Sequence, residues 1–259
     1  MKKFVFALDL DGTLIQDDSS LSFTTIQQIH EWVKQGVNII ITTGRTWLNT
    51  KKIYQLCRLS TPVVLYNGAY VYIPKENRVL QSFTLQKEFL HTLFLNKEFM
   101  SMVNRITCEY QEQQFDFNLM QTTPEEMIQS LNINPTSFIL EVKGFEVQEK
   151  IKKIIEENPL YGYRFGGDDW GEVYLKNISK REGIAVVLDY FHLTQKNLVF
   201  FGDSENDVEI IQYAKLGIAM KNAREEIKQV ADKVTLEDNN HDGVIKSIQS
   251  ILLSKEESL

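Results

Sequence analysis

Phe4-Val5-Phe6-Ala7-Leu8-Asp9-Leu10-Asp11-Gly12-Thr13-Leu14 runs five apolar residues straight into two acids, a glycine and a threonine. An apolar run this short and unbroken predicts a strand buried on both faces, as in parallel sheets. Side chains alternate along a strand, so Asp9 and Asp11 are expected to point the same way, with Leu10 opposite. Gly12 lets the chain turn sharply out of the sheet. Two carboxylates are thus expected side by side at the C-terminal edge of the strand, where open α/β sheets bind ligands. Like charges this close require a cation between them or a proton on one of them. Taken alone, the stretch favours a plainer reading, a strand ending in a solvated acidic turn. The rest of the chain decides.

Outward from this strand the pattern repeats. After the polar loop Gln16 to Ser20, a helix is predicted over Thr24 to Gln35, with Ile26, Ile29 and Val33 on one face and Gly36 at its end. A second buried strand, Val37 to Thr42, runs into Thr43-Gly44-Arg45. Thr46 opens a helix reaching to about Arg58. Pro62 precedes a third strand, Val63 to Tyr66, ending at Asn67-Gly68. Tyr70 to Ile73 and Arg78 to Phe83 read as a hairpin around Pro74-Lys75-Glu76-Asn77. The β-α-β-α-β order predicts a parallel sheet with right-handed crossovers.

From about Thr84 to Lys176 the segments are more polar and strands follow strands. Gln86 to Phe99 reads as one helix. Val103 to Glu109, Phe115 to Met120 and Ser137 to Lys143 read as strands, the first two with half-buried alternation. Pro124 to Leu131 and Val147 to Glu157 are helical, and Tyr161 to Phe165 with Glu172 to Leu175 form a last strand pair. Half-buried alternation predicts an antiparallel sheet with helices on one face. The first texture returns from Ser179, with a helix to Tyr190 and an apolar strand, Asn197 to Phe201, that ends in Gly202-Asp203-Ser204-Glu205-Asn206-Asp207. A helix from Asp207 to Tyr213, a strand from Leu216 to Met220, a helix opened by Asn222 and a final helix from Gly243 complete the chain, with Ser254 to Leu259 expected to fray. The fold class is therefore α/β, a Rossmann-like parallel-sheet core with an inserted α+β cap. Residues 1–83 and 177–259 form the core and 84–176 the cap.

Composition excludes several classes. A net charge of −7 over 259 residues argues against nucleic acid or an anionic membrane as the main partner. No apolar stretch approaches the roughly 20 residues of a membrane span. Met1-Lys2-Lys3 precedes an apolar run too short for a signal peptide. Cys57 and Cys108 lie far apart without metal-ligand spacing, which predicts free thiols in a reducing, cytoplasmic setting. The four histidines make no metal cluster, and His30 reads as packed against its helix stripe.

Three buried strands end in residues suited to one task. Asp9 and Asp11 end the first, Thr43 and Gly44 the second, Asp203 the last, with Asn206 and Asp207 in the turn behind it. Carboxylates suit Mg2+, which prefers oxygen ligands. Thr43, Lys180 and backbone N–H groups at a helix start suit a phosphate. Together they describe phosphoryl transfer.

Asp9-Leu10-Asp11-Gly12-Thr13-Leu14, Thr43-Gly44-Arg45, Lys180 and Gly202-Asp203-Ser204-Glu205-Asn206-Asp207 resemble, in order, the four motifs of the haloacid dehalogenase (HAD) superfamily. With Asn67-Gly68-Ala69, Ala219-Met220-Lys221-Asn222-Ala223 and Asp242-Gly243-Val244, the chain is similar to the Cof-type subfamily with a large α/β (type IIB) cap, over nearly its whole length. The resemblance implies a phosphatase of small phosphorylated metabolites. Sugar phosphates come first; flavin mononucleotide and pyridoxal phosphate are also handled in the subfamily. Asp9 would be the nucleophile and Asp11 the proton donor to the leaving oxygen. Mg2+ would be held by the Asp9 carboxylate, the Asp11 carbonyl and Asp203. Asp207 would orient metal waters or Lys180, while Thr43, Gly44, Lys180 and Asn206 hold the phosphate. Arg45, opening a helix, either reaches the substrate or pairs with a nearby acid. A phosphomutase of the same fold is the near alternative. A non-catalytic regulatory module is the distant one; its mark is loss of Asp9, Asp11, Lys180 or Asp203, and all four are present. Arg181 and Lys221 stand where the family usually has glycine. In the cap, Gly166-Gly167-Asp168-Asp169-Trp170-Gly171 reads as a hairpin turn before a site, and Phe89, Phe94 and Phe99 as core.

Overall fold

The computed structural model describes residues 4–110 and 113–256. The chain divides into two compact units. One runs to Gln81 and resumes at Ser179; the other spans Ser82–Ile178.

The first unit begins with β1 (Val5–Leu8), α1 (Phe23–Lys34), β2 (Asn38–Ile41), α2 (Trp47–Leu56), β3 (Val63–Leu65), β4 (Tyr70–Ile73) and β5 (Arg78–Ser82). Ser22 and Thr46 start the two helices, their hydroxyls accepting the N–H of Thr25 and Asn49. The second unit holds α3 (Lys87–Leu95), α4 (Lys97–Met102), β6 (Val103–Tyr110), β7 (Gln113–Asn118), α5 (Pro124–Ser130), β8 (Ser137–Val142), α6 (Phe145–Glu156), β9 (Tyr161–Phe165) and β10 (Trp170–Leu175). The first unit then resumes with α7 (Lys180–Tyr190), β11 (Leu198–Gly202), α8 (Val208–Tyr213), β12 (Leu216–Ala219), α9 (Glu225–Val230), β13 (Lys233–Val234) and α10 (Gly243–Glu256). Of the fraying expected over Ser254 to Leu259, residues 257–259 lie outside the described residues, as do Met1-Lys2-Lys3; α10 runs to Glu256.

Five strands of the first unit form one parallel sheet in the order β13-β12-β11-β1-β2. Every residue of β1 and β11 is buried, and fully burying one large aliphatic side chain contributes about 1.5–3 kcal/mol. The register is level: Leu8 faces Phe201 on one side and Ile41 on the other. The C-terminal ends of β11, β1 and β2 therefore share one edge, with β1 central. That alignment positions the site.

Four expectations are corrected. First, β1 stops at Leu8. The Asp9 N–H still donates to the Phe201 carbonyl at 3.0 Å, but β11 ends one residue later and leaves Leu10 and Asp11 no neighbour to pair with. Leu10–Leu14 instead closes a wide turn, with Gly12 at φ +70°. The two acids do not share a strand face; Asp9 is buried and Asp11 exposed. Second, β3 does not extend the parallel sheet. Just past the end of β2 it forms an isolated parallel bridge, Thr42 with Val64, where the Thr43 N–H donates to the Val64 carbonyl, but it pairs antiparallel with β4 in a separate β3-β4-β5 sheet. Third, the single helix Gln86 to Phe99 is broken at Asn96, whose side chain accepts the Phe99 N–H at 3.0 Å and starts α4. Fourth, Asn222 lies in a turn before α9, which starts at Glu225.

The second unit is an antiparallel sheet in the order β7-β6-β8-β10-β9. Ile106, Cys108, Phe138 and Leu140 pack with helix residues such as Phe94, Phe99, Met127 and Ile151, while Phe89 stacks on Tyr161. The glycine-rich stretch is a hairpin between β9 and β10: Gly166 N–H donates to the Trp170 carbonyl, and Gln148 ties the tip through the Gly167 carbonyl. Cys57 and Cys108 are buried free thiols, and burial pushes Cys57 up to about 12 and Cys108 up as well. His30 bonds the Leu56 carbonyl at 2.7 Å. Among the described residues no helix is long and apolar enough to cross a membrane.

Candidate active site

At the shared edge of β11, β1 and β2 a buried ion network forms. Lys180, the first residue of α7, donates to Asp9 Oδ1 at 2.6 Å and to Asp207 Oδ1 at 2.7 Å. Lys180 is 1% exposed, Asp207 0% and Asp9 5%, so these pairs are shielded from water rather than screened by it. Ser179 starts α7 in a capping box, with its N–H and hydroxyl on the Glu182 carboxylate. Close backbone approach seats this helix. A Cβ on Gly183 would lie 2.8 Å from the Gly68 Cα, and one on Gly68 (φ +98°) 2.0 Å from the Ser179 carbonyl.

Asp207 Oδ2 accepts the N–H groups of Asp203 and Ser204 at 3.0 and 3.1 Å, which shapes the turn after β11. Asp203 accepts the Thr13 hydroxyl at 3.0 Å. Gly12 passes directly over it; a Cβ there would stand 2.4 Å from Asp203 Oδ2. Asp11 is elsewhere. Its carboxylate takes two hydrogen bonds from Arg45, Nε to Oδ2 at 2.8 Å and a terminal nitrogen to Oδ1 at 2.6 Å. Of the two readings of Arg45, substrate contact and pairing with a nearby acid, the structure shows the pairing, with Asp11.

Thr43 and Gly44 lie in the loop before α2, not at the helix start itself. The Thr43 N–H is spent on the Val64 carbonyl, and the Arg45 N–H on the Thr43 hydroxyl oxygen at 3.1 Å. With that oxygen accepting, the buried hydroxyl keeps its own proton to donate. Asn206 Nδ2 donates to Asn67 Oδ1 at 2.8 Å, while the buried Asn206 Oδ1 has no partner among the described residues. The structure thus brings Asp9, Lys180, Asp203 and Asp207 into one contact network and leaves the Asp11 carboxylate outside it.

The cluster fits a divalent cation on charge and donor chemistry. Asp9, Asp203 and Asp207 each place a carboxylate oxygen within 4.8 Å of the others. Fully ionised, three carboxylates less one ammonium leave two negative charges in excess. Oxygen-only donors suit a hard cation. Both Asp207 oxygens are taken by charged or backbone donors, whereas Asp9 Oδ2 has no hydrogen bond among the described residues. Asp203 accepts only hydroxyls, from Thr13 on Oδ1 and from Ser204 on Oδ2 at 3.2 Å, which can turn aside, so Asp9 and Asp203 are the side chains best able to give an oxygen to a cation. Burial pushes the Asp9 carboxyl up to about 8, against the lowering by Lys180 and with a further push from Asp207 and Asp203. Asp203 is raised too, by burial first and then by Asp207. Burial alone would lower Lys180, but Asp207 and Asp9 outweigh it and hold the ammonium above the usual lysine range.

A pH dependence follows. Unfolded Asp9 releases its proton near 3.8 and folded Asp9 near 8. Between these values the folded protein holds the extra proton, so without a cation its stability falls as pH rises through that window. A divalent cation held by these carboxylates would compete with that proton. Added Mg2+ is expected to raise the melting temperature more at about pH 9 than at about pH 6, relative to chelator. Equal gains in calorimetry at both would contradict buried carboxylates as the ligands.

Sequence reasoning assigned no role to Thr13, Asn67, Gly183 or Asn222. Thr13, Asn67 and Asn222 stand inside motifs that carry the family resemblance, and Gly183 one turn after Lys180 was the available signal for close helix approach. The two departures from family pattern are accommodated at the surface. Arg181 lies over the Tyr213 ring at 5.1 Å and pairs with Glu182, and Lys221 pairs with Glu237.

A family model described as haloacid dehalogenase-like hydrolase matches residues 6–248. The chain belongs to this family, in its Cof-type branch with an inserted cap, and is an enzyme of the phosphatase type. It is similar to the 5-amino-6-(5-phospho-D-ribitylamino)uracil phosphatase YitU of Bacillus subtilis strain 168, at 26% identity over 96% of this chain and 97% of the other. Its fold matches that of a haloacid dehalogenase-like hydrolase from Bacteroides thetaiotaomicron, with a TM-score of 0.82 at 20% identity over 96% of this chain and 100% of that one. It also matches a subclass IIB sugar phosphatase of the superfamily, at TM-score 0.76 and 20% identity over 96% and 98% of the two chains.

Proposed function

We propose that the protein hydrolyses phosphate monoesters of small metabolites through an aspartyl phosphate on Asp9, with Mg2+ as the cation. The carrying observation is the division between two acids two residues apart. Asp9 is buried on Lys180, while Asp11 is exposed and held by Arg45. That suits one carboxylate for attack and the other for proton transfer.

In this reading Asp9 attacks phosphorus, forming the new O–P bond as the bond to the leaving oxygen breaks. Asp11 gives that oxygen its proton. The resulting Asp11 carboxylate then takes a proton from water, which attacks phosphorus and frees Asp9 and inorganic phosphate. Lys180 and the Thr43 hydroxyl, with Gly44 and Asn206, hold the phosphoryl oxygens by charge and hydrogen bonds. Asp207 holds Lys180. Asp9, Asp203 and the Asp11 carbonyl would hold Mg2+, which supplies charge neutralisation for the nucleophile and the phosphoryl group. For Asp11 to reach a leaving group, its contact with Arg45 must open, and Arg45 is then free to meet the substrate.

The substrate class is drawn from chemistry and kinship. One relative acts on a phosphorylated ribityl-heterocycle and one fold neighbour on sugar phosphates, which makes polyol and sugar phosphates the first candidates. Two buried free thiols accord with a reducing cytoplasm as the place of action. The test is phosphate release from a panel of sugar, polyol and heterocycle-bearing phosphates, with Mg2+ or with chelator. Release by one class with kcat/KM well above the rest, abolished by chelator, is expected. Isomerised ester without free phosphate would point to a mutase instead, and no turnover of any ester would overturn the proposal.

A further inference from the structure

We propose that Asn222 is a positioning residue for Asp11, acting through the Gly12 carbonyl. The proposal rests on the reading of Asp11 as the proton donor to the leaving group.

Asn222 stands three residues past the end of β12, two strands away from β1 in the order β12-β11-β1. Its loop and the Asp9–Leu14 loop leave the sheet at the same edge. An asparagine in a turn ordinarily bonds its own nearby backbone. Asn222 does not. Its Nδ2 reaches across the end of β11 to donate to the Gly12 carbonyl at 2.7 Å, while its Oδ1 accepts the Asn239 N–H at 3.3 Å. A backbone acceptor on one side and a backbone donor on the other fix which way the amide faces. Asn239 is itself anchored to the same loop, its Nδ2 donating to the Ile15 carbonyl at 3.0 Å and to Asp17 at 2.9 Å. Asn222 is exposed, so burial does not require this arrangement.

Gly12 is tightly constrained. It sits at φ +70°, and a Cβ on it would lie 2.4 Å from Asp203 Oδ2. Asn222 holds the carbonyl of the same residue. Holding the Gly12 carbonyl fixes the Gly12–Thr13 peptide plane, and the Thr13 hydroxyl is set on Asp203 immediately after it. Asp11 immediately precedes Gly12 and is exposed, with its carboxylate on Arg45. Once Arg45 lets go, the backbone on either side is what aims Asp11. Release of the Gly12 carbonyl would let that backbone rotate, and small misplacement of a proton-transfer group costs up to roughly 100-fold in rate.

The test separates aiming of Asp11 from general damage by leaving-group chemistry. An alkyl phosphate needs a proton on its departing oxygen, while p-nitrophenyl phosphate does not. Asn222→Ala is expected to lower kcat/KM for glycerol phosphate about 10- to 100-fold and for p-nitrophenyl phosphate less than about threefold. Asn222→Ser, which keeps a polar group too short to reach Gly12, is expected to show the same bias. In an Asp11→Asn background, Asn222→Ala should add almost nothing for glycerol phosphate, because the group it aims is already lost. Equal losses on both esters, or no loss on either, would overturn the proposal. If Asp11→Asn itself shows no leaving-group bias, the reading of Asp11 falls and the proposal with it. If Asp11→Asn shows the bias and neither Asn222 variant does, only the positioning role falls.

Discussion

Asp9→Asn is expected to fold at least as stably as the unaltered protein while losing phosphatase activity by several orders of magnitude. Removing a catalytic nucleophile from another hydrolase costs roughly 10^6-fold, and that is the scale to expect here. The stability side of the prediction comes from the charge count. Asp9 is 5% exposed and shares a network with two other carboxylates and one ammonium. An uncharged amide of the same shape relieves the burial penalty, while Lys180 keeps Asp207 as its partner at 2.7 Å. Without a cation the melting temperature should not fall. The gain on adding Mg2+ should shrink, because one oxygen ligand has become a weaker one. A variant that keeps its rate would show that Asp9 is not the attacking group. A variant that fails to fold would show that the Asp9–Lys180 pair holds the core together.

Lys180→Met carries the largest expected effect on stability. The side chain is 1% exposed and makes two short ion pairs. Methionine fills a similar volume but leaves three carboxylates facing one another without their counter-charge. Breaking a buried pair by removing one partner costs about 3–5 kcal/mol, because the remaining charge is stranded in a poor solvent. The loss should be greatest above neutral pH, where the stranded groups are ionised, and smaller in acid, where they take up protons. Added Mg2+ should recover part of it. Activity should fall by about two to three orders of magnitude even with saturating Mg2+, the scale for losing one group that stabilises transition-state charge. Urea unfolding at two pH values, with and without Mg2+, measures the first effect and steady-state kinetics the second. A stability loss below about 1 kcal/mol would mean that Lys180 is solvated and the network does not bear on the fold.

Much of this architecture was legible because it depends on local rules. Five apolar residues ending at two acids and a glycine are too few for a helix and suit a buried strand, and Asn38–Ile41 and Leu198–Gly202 obey the same rule. Three such strands with polar C-terminal ends point to one edge before any coordinate is known. What stayed hidden depends on neighbours. Alternation predicts that Asp9 and Asp11 share a face, but alternation lasts only as long as pairing does, and β11 ends one residue past the partner of Leu8. The helix over Gln86 to Phe99 has continuous periodicity. Only the side-chain acceptor at Asn96 breaks it, and the same residue type would be tolerated on an exposed helix face. Val63–Leu65 has the composition of a buried parallel strand, yet its outer partner is β4. Asn222 stood inside a motif of the resemblance, Ala219 to Ala223, but its reach to Gly12, across 210 residues of sequence, had no local signature.

The proposed mechanism requires Asp9 to carry the phosphoryl group. The direct measurement is mass spectrometry of protein quenched in acid within the first turnover on its best ester, followed by peptide mapping. The expected result is one added HPO3 on the peptide containing Asp9, formed at a rate no slower than turnover and absent in Asp9→Asn. Phosphate release at full rate with no phosphorylated protein at any time, under conditions where an acyl phosphate survives the quench, would contradict it.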